Sequence, residues 1–362
     1  MQIEQPALIF FSDKIDSSQE LFFRQLRERY PEVMRLHGHF SHTQLNTILA
    51  QIASDASLVV INASRLHSDA LIPSQAAAQM LELVSDFPVC LYQPLAKVEP
   101  EPSEALLVNY QQLEIVYLTY NEDIAEENFV QLAVRYPQLK RLHRIQGLTQ
   151  GFRLAAYLVS GTQFILIDGD NELLEGVDLN QIALHDKANQ VLIYFAKNPI
   201  NDLCYGYGGI KICPTRGFRN ITFDTVDPIC SGGMRPVFSK QREVLSVTRF
   251  NTSAFNAWKA GFRECAMLSA QLDYLQDSSK TWAAEKINCW LTKGEDRPFG
   301  DWTMLGAKAG KAFVERLMDS PATQSSENST PAQKLSVINQ PGWLLNYFQQ
   351  IYPNTIMVYE KA

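Results

Sequence analysis

The chain has 362 residues, of which 46% are hydrophobic, 20% charged and 10% aromatic, enough apolar material for more than one core and too little charge for a disordered chain. Its 32 Lys and Arg stand against 39 Asp and Glu, and the net charge of −7 excludes coating of nucleic acid by bulk charge, leaving at most a local basic groove. The opening MQIEQPALIFFSDK lacks a basic n-region, no stretch reaches the roughly 18 apolar residues that span a bilayer, and the six cysteines (90, 204, 213, 230, 265 and 289) form no CxxC pair. The expectation is a soluble cytoplasmic protein with free thiols and no membrane contact.

Taken in chain order, the first half repeats itself. Residues 126–167 overlay residues 20–61 at a constant shift of 106, with 15 identities over 42 ungapped positions. The matches include Arg29-Tyr30-Pro31 over Arg135-Tyr136-Pro137, Arg35-Leu36-His37 over Arg141-Leu142-His143, and Thr43-Gln44 over Thr149-Gln150. Upstream, ALIFFSD overlies LEIVYLT at the same shift, and downstream VCLY (89–92) matches VLIY (191–194) across a small gap. Each copy predicts an apolar strand (Leu8–Phe11; Ile115–Leu118), then a helix carrying Phe23, Leu26 and Tyr30 or Phe129, Leu132 and Tyr136, stopped by Pro31 or Pro137. A short strand (Val33–Leu36; Leu139–Leu142), a second helix (Gln44–Ala53; Gln150–Val159) and an apolar strand (Leu58–Ile61; Phe164–Ile167) complete it. Strands alternating with helices predict an α/β fold: two Rossmann-like βαβ units from an internal duplication, with a mainly parallel sheet.

The polar, proline-bearing KVEPEPS (97–103) marks the boundary between the copies, giving a duplicate over 1–105 and a larger domain over 106–318. Residues 319–342, rich in Ser, Thr, Gln and Pro, read as a flexible linker, and 343–362 as a helix and a strand (TIMVY, 355–359) that dock on the body. Asn251-Thr252-Ser253 is a helix start signal for AFNAWKAGFRECAML.

The copies differ where chemistry would sit. The second ends its last strand in FILIDGDNEL, with Asp168 and Asp170 flanking Gly169, whereas the first reads LVVINASRL with Asn62, Ala63 and Ser64 at those places. Ligands of open α/β sheets bind beyond the carboxyl ends of the strands. Two carboxylates one residue apart offer hard oxygen ligands for Mg²⁺ or Mn²⁺ and leave positions open for substrate oxygens. The first copy, stripped of both aspartates, is expected to be non-catalytic and to serve packing, acceptor binding or an oligomer interface.

VYLTYNEDIAEENF, QGLTQGFRLAAYLVSG and TQFILIDGDNE together resemble the nucleotide-sugar-binding half of the GT-A (family 2-like) glycosyltransferases, well over 113–175 and more weakly to about 310. The resemblance implies a nucleoside-diphosphate sugar as donor, UDP-sugars first. It also implies a divalent cation (Mn or Mg) on Asp168 and Asp170 bridging the donor diphosphate, nucleoside contacts from Thr119, Tyr120 and Asn121, and a basic donor contact from Arg153. NPINDLCYGYGGIKICPTR (198–216) and SVTRFNTSAFNAWKAGFRECAML (246–268) are similar to phage-type glycosyltransferases, which implies a hydroxymethylated pyrimidine in DNA as one acceptor; a glycan or small molecule is the other. A C-terminal histidine ligand of the family pattern is missing, since no histidine lies beyond His185, so diphosphate oxygens, water or a carboxylate such as Asp301 would complete the shell.

The remaining candidates follow from residue chemistry. Tyr205, Tyr207, Gly208 and Gly209 offer aromatic faces and close backbone approach to an acceptor, with Arg263 beside them, and Lys211 can neutralise phosphate. Inverting transfer needs a carboxylate to take the acceptor proton, for which Glu264 stands first and Asp227 second. A nucleotidyltransferase and a non-catalytic nucleotide-binding module are the rival classes; the chain has no glycine-rich, lysine-bearing loop after its first strand. His37-Gly38-His39-Phe40-Ser41-His42 has no neighbouring cysteine, and His37 matches His143, so a shared structural position is expected there in place of zinc.

Overall fold

The computed structural model describes residues 7–53, 58–63, 71–73, 89–92, 112–145, 147–185, 187–205, 209–221, 229, 233–239, 243–270, 280–319, 335–340 and 342–353. In chain order the elements are β1 (Ala7–Ser12), α1 (Ser17–Arg29), β2 (Met34–His37), α2 (His42–Ala53), β3 (Leu58–Asn62), β4 (Leu71–Pro73) and β5 (Val89–Tyr92). There follow β6 (Glu114–Thr119), α3 (Ala125–Arg135), β7 (Lys140–His143), α4 (Leu148–Tyr157), β8 (Gln163–Asp168) and β9 (Asn171–Leu173). Next come β10 (Gln190–Ile193), β11 (Phe195–Lys197), β12 (Cys204–Tyr205), β13 (Ile210–Pro214), α5 (Thr215–Arg219), β14 (Arg235–Phe238) and β15 (Val244–Thr248). Four helices, α6 (Ala254–Ala270), α7 (Lys280–Thr292), α8 (Gly300–Asp319) and α9 (Trp343–Ile351), complete the described chain. None is long and apolar enough to cross a membrane.

The chain forms two compact units, and their division does not follow the repeat boundary. The first holds residues 1–169, 178–188 and 211–221; the second holds 170–177, 189–210 and 222–362. The expected linker between the copies (97–103), residues 320–334 of the expected C-terminal linker and the TIMVY strand lie outside the described residues.

In the first unit the strands run β13-β8-β6-β7-β2-β1-β3-β5-β4. Strand β1 pairs in parallel with β2 and β3, and β6 likewise with β7 and β8, while β5 is antiparallel to both β3 and β4. The fold is thus α/β with a large, mostly parallel sheet. Local chemistry explains its pieces: Asp16 accepts from the backbone N–H of Ser18 and Gln19 to start α1, Phe23 and Leu26 on one helix face pack on Phe10 and Ile61, and Tyr30 closes the helix before Pro31.

The two halves of this sheet meet at a single antiparallel joint, where Arg35 faces His143, Leu36 faces Leu142 and His37 faces Arg141. The strand order β3-β1-β2 therefore runs into β7-β6-β8 in mirrored sequence. The joint is full of charge. Arg141, with no exposed side-chain surface, donates to both oxygens of Glu126 at 2.8 and 2.6 Å, and the equally buried Arg35 makes the matching two-pronged contact with Glu20. Ser12 bonds the Nδ1 of His37 at 2.9 Å and Thr119 bonds that of His143 at 2.9 Å. The aromatic contacts cross over: His37 meets Phe129 edge-on at 5.1 Å, and His143 meets Phe23 at 6.0 Å. Burial would raise the Glu126 carboxyl, but the guanidinium of Arg141 and then that of Arg35 overcome it and hold it well below the usual range. Burial, reinforced by Arg35 and Arg141, lowers His37 to about 3, and burial likewise takes His143 well below its ordinary value. Both imidazoles are neutral structural parts, as the shared RLH motif predicts for His37.

Two details of the overlay need correction. The register places Ala7 opposite Leu58 and Glu114 opposite Phe164, so the first strands correspond at a shift of 107, with Ser12 equivalent to Thr119. The turn before α3 is one residue shorter than the turn before α1, which absorbs the difference; a slip of one would have turned every side chain of the strand to the wrong face. VCLY and VLIY are also not equivalent: β5 lies against β3, whereas the strand beside β8 is β13.

The second unit carries a four-stranded sheet, β12-β11-β15-β9, a parallel pair β10–β14, and the C-terminal helices. Ser253 Oγ accepts from the Asn256 backbone N–H at 3.1 Å and starts α6, as the sequence predicts. Helices α6 and α8 pack backbone to backbone, because Gly261 lies on the Thr303 carbonyl, Gly306 on that of Trp258 and Gly310 on that of Phe262. Helix α9 docks Leu344 and Phe348 on Trp258, Phe262 and Val314, joined by Leu335 and Ile338. Leu335 and Ile338, which fall within the span expected as a linker over 319–342, are core residues.

Candidate functional site

Strand β8 buries Phe164–Ile167 completely and ends at Asp168, whose side chain is 33% exposed at the carboxyl edge of the sheet. On β13, Lys211 has 2% of its side chain exposed and places its Nζ 2.8 Å from both oxygens of Asp168, over the face of Phe152 at 5.5 Å. A buried ammonium needs such a partner, since its desolvation is otherwise uncompensated. The corresponding end of β3 holds Asn62, because Asn62 is opposite Phe11 as Asp168 is opposite Leu118.

Gly169 is fixed from two sides. Its carbonyl accepts from the hydroxyl of fully buried Tyr117 at 2.9 Å, and that oxygen accepts from Asn128 Nδ2 at 3.1 Å. A methyl group on Gly169 would collide with the carboxylate of Glu122, whose Oε2 accepts from the backbone N–H of Tyr120 at 2.7 Å. A larger residue between the aspartates would require the Glu122 carboxylate to move. Glu122 was missed by sequence reasoning, although an acidic residue directly after a strand end was a signal.

Asp170 opens the second unit. Its carbonyl accepts from Arg249 N–H at 2.6 Å, and its Oδ1 accepts from Asn171 Nδ2 at 2.8 Å. Asn171, 1% exposed, is itself held: its Oδ1 accepts from Ser246 at 2.8 Å and from Thr248 at 3.2 Å. A side chain on Gly209 would overlap this amide, so the structure explains that glycine by the seating of Asn171.

The other expected donor residues separate. Tyr120 is 39% exposed and Asn121 is exposed, both just beyond β6. Thr119 is turned inward: its hydroxyl donates to the Leu142 carbonyl at 3.2 Å and accepts from Arg141 Nε at 3.1 Å, which takes it out of the nucleoside-contacting set. Arg153 reaches from α4 to α2, donating to Gln51 Oε1 at 3.2 Å beside the Gln150–Gln51 bond. Arg263 likewise donates to Asn339 Oδ1 at 2.7 Å and braces the C-terminal segment. Glu264 stands on α6 next to Cys265, whose thiol is pushed up by burial and then by the Glu264 charge. Asp301 is exposed in the first turn of α8. Asp227, Tyr207 and Gly208, and the side chain of Tyr205, lie outside the described residues.

Among the described residues no three His, Cys, Asp or Glu side chains gather as they would for a metal ion held by protein alone. No family model, curated protein or solved structure matches the chain.

Proposed function

We infer that the protein is a glycosyltransferase of GT-A type that moves a sugar from a nucleoside-diphosphate sugar to an acceptor hydroxyl, and that its two halves arose by duplication. The observation that carries this reading is the end of β8: a carboxylate, Asp168, is matched by a nearly buried lysine where the mirrored strand β3 ends in Asn62. A single strand-end position thus carries a carboxylate in one half and a neutral amide in the other. The mirrored strand order and the 106-residue spacing of Leu36 and Leu142 across the joint support the duplication.

Asp168 and Asp170 offer the carboxylate oxygens that suit a hard divalent cation, which would have to share Asp168 with the ammonium of Lys211. Bound there, Mg²⁺ or Mn²⁺ would offset the charge growing on the leaving diphosphate. Lys211 holds Asp168 in one orientation and provides a fixed positive charge at the same spot. Tyr117 and Glu122 pin Gly169, and Asn171 orients Asp170. Tyr120 and Asn121 are proposed to contact the nucleoside, and Glu264 or Asp227 to be the base that takes the acceptor proton.

The test is hydrolysis of UDP- and GDP-sugars with Mn²⁺ by wild type and Asp170→Ala, followed by transfer to hydroxymethylated DNA or to glycans. Hydrolysis by wild type and its loss in the variant support the reading. Equal rates in both proteins, or no turnover of any donor, would sink it.

A further inference from the structure

Arg144 has a positive φ at the place where its equivalent, also at positive φ though a different one, is glycine. It follows β7 at φ +62°, and its N–H donates to the Thr119 carbonyl at 2.9 Å. The same place after β2 is Gly38, at φ +139°, whose N–H donates to the Ser12 carbonyl at 3.0 Å. A left-handed conformation is free to glycine and strained for arginine. Strain of this kind is retained where the side chain is needed, and it collects at binding sites.

The side chain lies where a ligand would pass. Its guanidinium stands 5.5 Å from the ring centroid of Tyr120, the exposed aromatic at the end of β6. One terminal nitrogen donates to Glu32 at 2.8 Å, a carboxylate whose side chain is 83% exposed, and the buried Nε has no hydrogen-bond partner among the described residues. The first half has neither feature, with Asp13 at the position of Tyr120 and Gly38 at that of Arg144. The order β7-β6-β8 sets the Arg144 and Asp168 ends two strand spacings apart, about 10 Å. A nucleoside spans such a distance between its base and its diphosphate.

The geometry points to Arg144 as the residue that selects the donor's base. This rests on the glycosyltransferase reading, with the diphosphate at Asp168 and the base against Tyr120. An arginine is all donor, so it recognises acceptor atoms such as the exocyclic carbonyls of uracil, cytosine and guanine. Adenine presents an amine donor in place of such a carbonyl and is disfavoured. Glu32 is the tether that holds the guanidinium beside the ring.

The experiment is titration of the full-length protein and of Arg144→Gly with UDP, GDP, ADP and inorganic pyrophosphate, with thermal unfolding of both proteins. Glycine suits the φ, so the variant is expected to melt no lower than wild type. It is expected to bind UDP or GDP at least 10-fold more weakly, to lose discrimination against ADP, and to bind pyrophosphate as wild type does. Unchanged UDP and GDP affinity in the variant would overturn the inference and leave the glycosyltransferase reading standing. An equal loss for pyrophosphate would overturn it too, by assigning Arg144 to phosphate. Failure of wild type to bind any nucleoside diphosphate would remove both.

Discussion

Leu36 of β2 lies directly opposite Leu142 of β7, its counterpart 106 residues along the chain. One step to either side of this pair, Arg35 faces His143 and His37 faces Arg141, each the equivalent of the other's partner, which is why the four crowd into one buried cluster. The first prediction concerns that cluster. Arg141→Met strips Glu126 of its two closest hydrogen bonds while leaving the carboxylate largely buried. Breaking a buried pair from one side costs about 3–5 kcal/mol. Chemical denaturation is expected to show this loss for the single variant and a smaller one for Arg141→Met combined with Glu126→Leu.

The same cluster sets the acid limit. His37 is lowered to about 3 by burial and then by Arg35 and Arg141, from an ordinary value of 6.5. The unfolded chain therefore takes up this proton first, and the stabilisation present above pH 6.5 is lost as pH falls from there towards 3. Glu126, held well below 4.5 chiefly by Arg141 against the cost of its burial, adds a loss that begins below pH 4.5. Each proton bound only by the unfolded state steepens the decline by about 1.4 kcal/mol per pH unit. Unfolding followed from pH 7 to pH 4 should show a shallower slope for His37→Asn than for wild type; an unchanged slope would reject His37 as a contributor.

Much of this was legible in the sequence, for reasons that can be named. The strands Leu58–Ile61 and Phe164–Ile167 are unbroken apolar runs, and buried parallel strands look like that. The end of α1 at Pro31 follows from the missing N–H and the ring of proline. Asp168 stood out because its counterpart is Asn62. The joint was not legible, since nothing in RLH states that the two copies pair with each other antiparallel. A motif gives residue type without direction, so it does not show that Arg141 holds the Thr119 hydroxyl inward or that Gln51 takes the Arg153 guanidinium. Glu122 and Asn171 came to light only through the glycines they press against.

Gly209 and Asn171 supply a coupled prediction. Gly209→Ala would force a methyl group into the Asn171 amide, and overpacking of this kind costs about 1–3 kcal/mol. Asn171→Ala removes the obstacle along with the hydrogen bond to Asp170. A double-mutant cycle in thermal or denaturant unfolding should therefore give a combined loss well below the sum of the two singles. Additive losses would mean that the two residues do not meet.

Lys211 separates charge from packing. Lys211→Met keeps the stem against Phe152 and removes the ammonium from Asp168, which stays partly solvated and so tolerates the loss. Asp168→Asn leaves the lysine buried with a weaker partner and is expected to cost more, about 2–4 kcal/mol. If the pair serves donor binding, both variants lose nucleoside-diphosphate affinity, although only Asp168→Asn is strongly destabilised. Affinity that tracks stability in both would reduce the pair to a structural one.

Tyr117 gives the most economical test of how the second half departs from the first. Its position in β6 corresponds to Phe10 in β1, and both rings are fully buried. Tyr117→Phe therefore installs the ring that the mirrored strand already accommodates and deletes a single hydroxyl. That hydroxyl donates to the Gly169 carbonyl and accepts from Asn128. Losing one such buried bond costs about 1–3 kcal/mol where its partners stay unpaired, so the fold should survive with a modest drop in its unfolding midpoint. Activity is expected to fall further than stability, because the freed carbonyl belongs to the residue joining Asp168 to Asp170. Nucleotide-sugar hydrolysis measured well below the melting temperature decides the matter: a rate equal to that of wild type would show that Tyr117 holds the sheet and not the site.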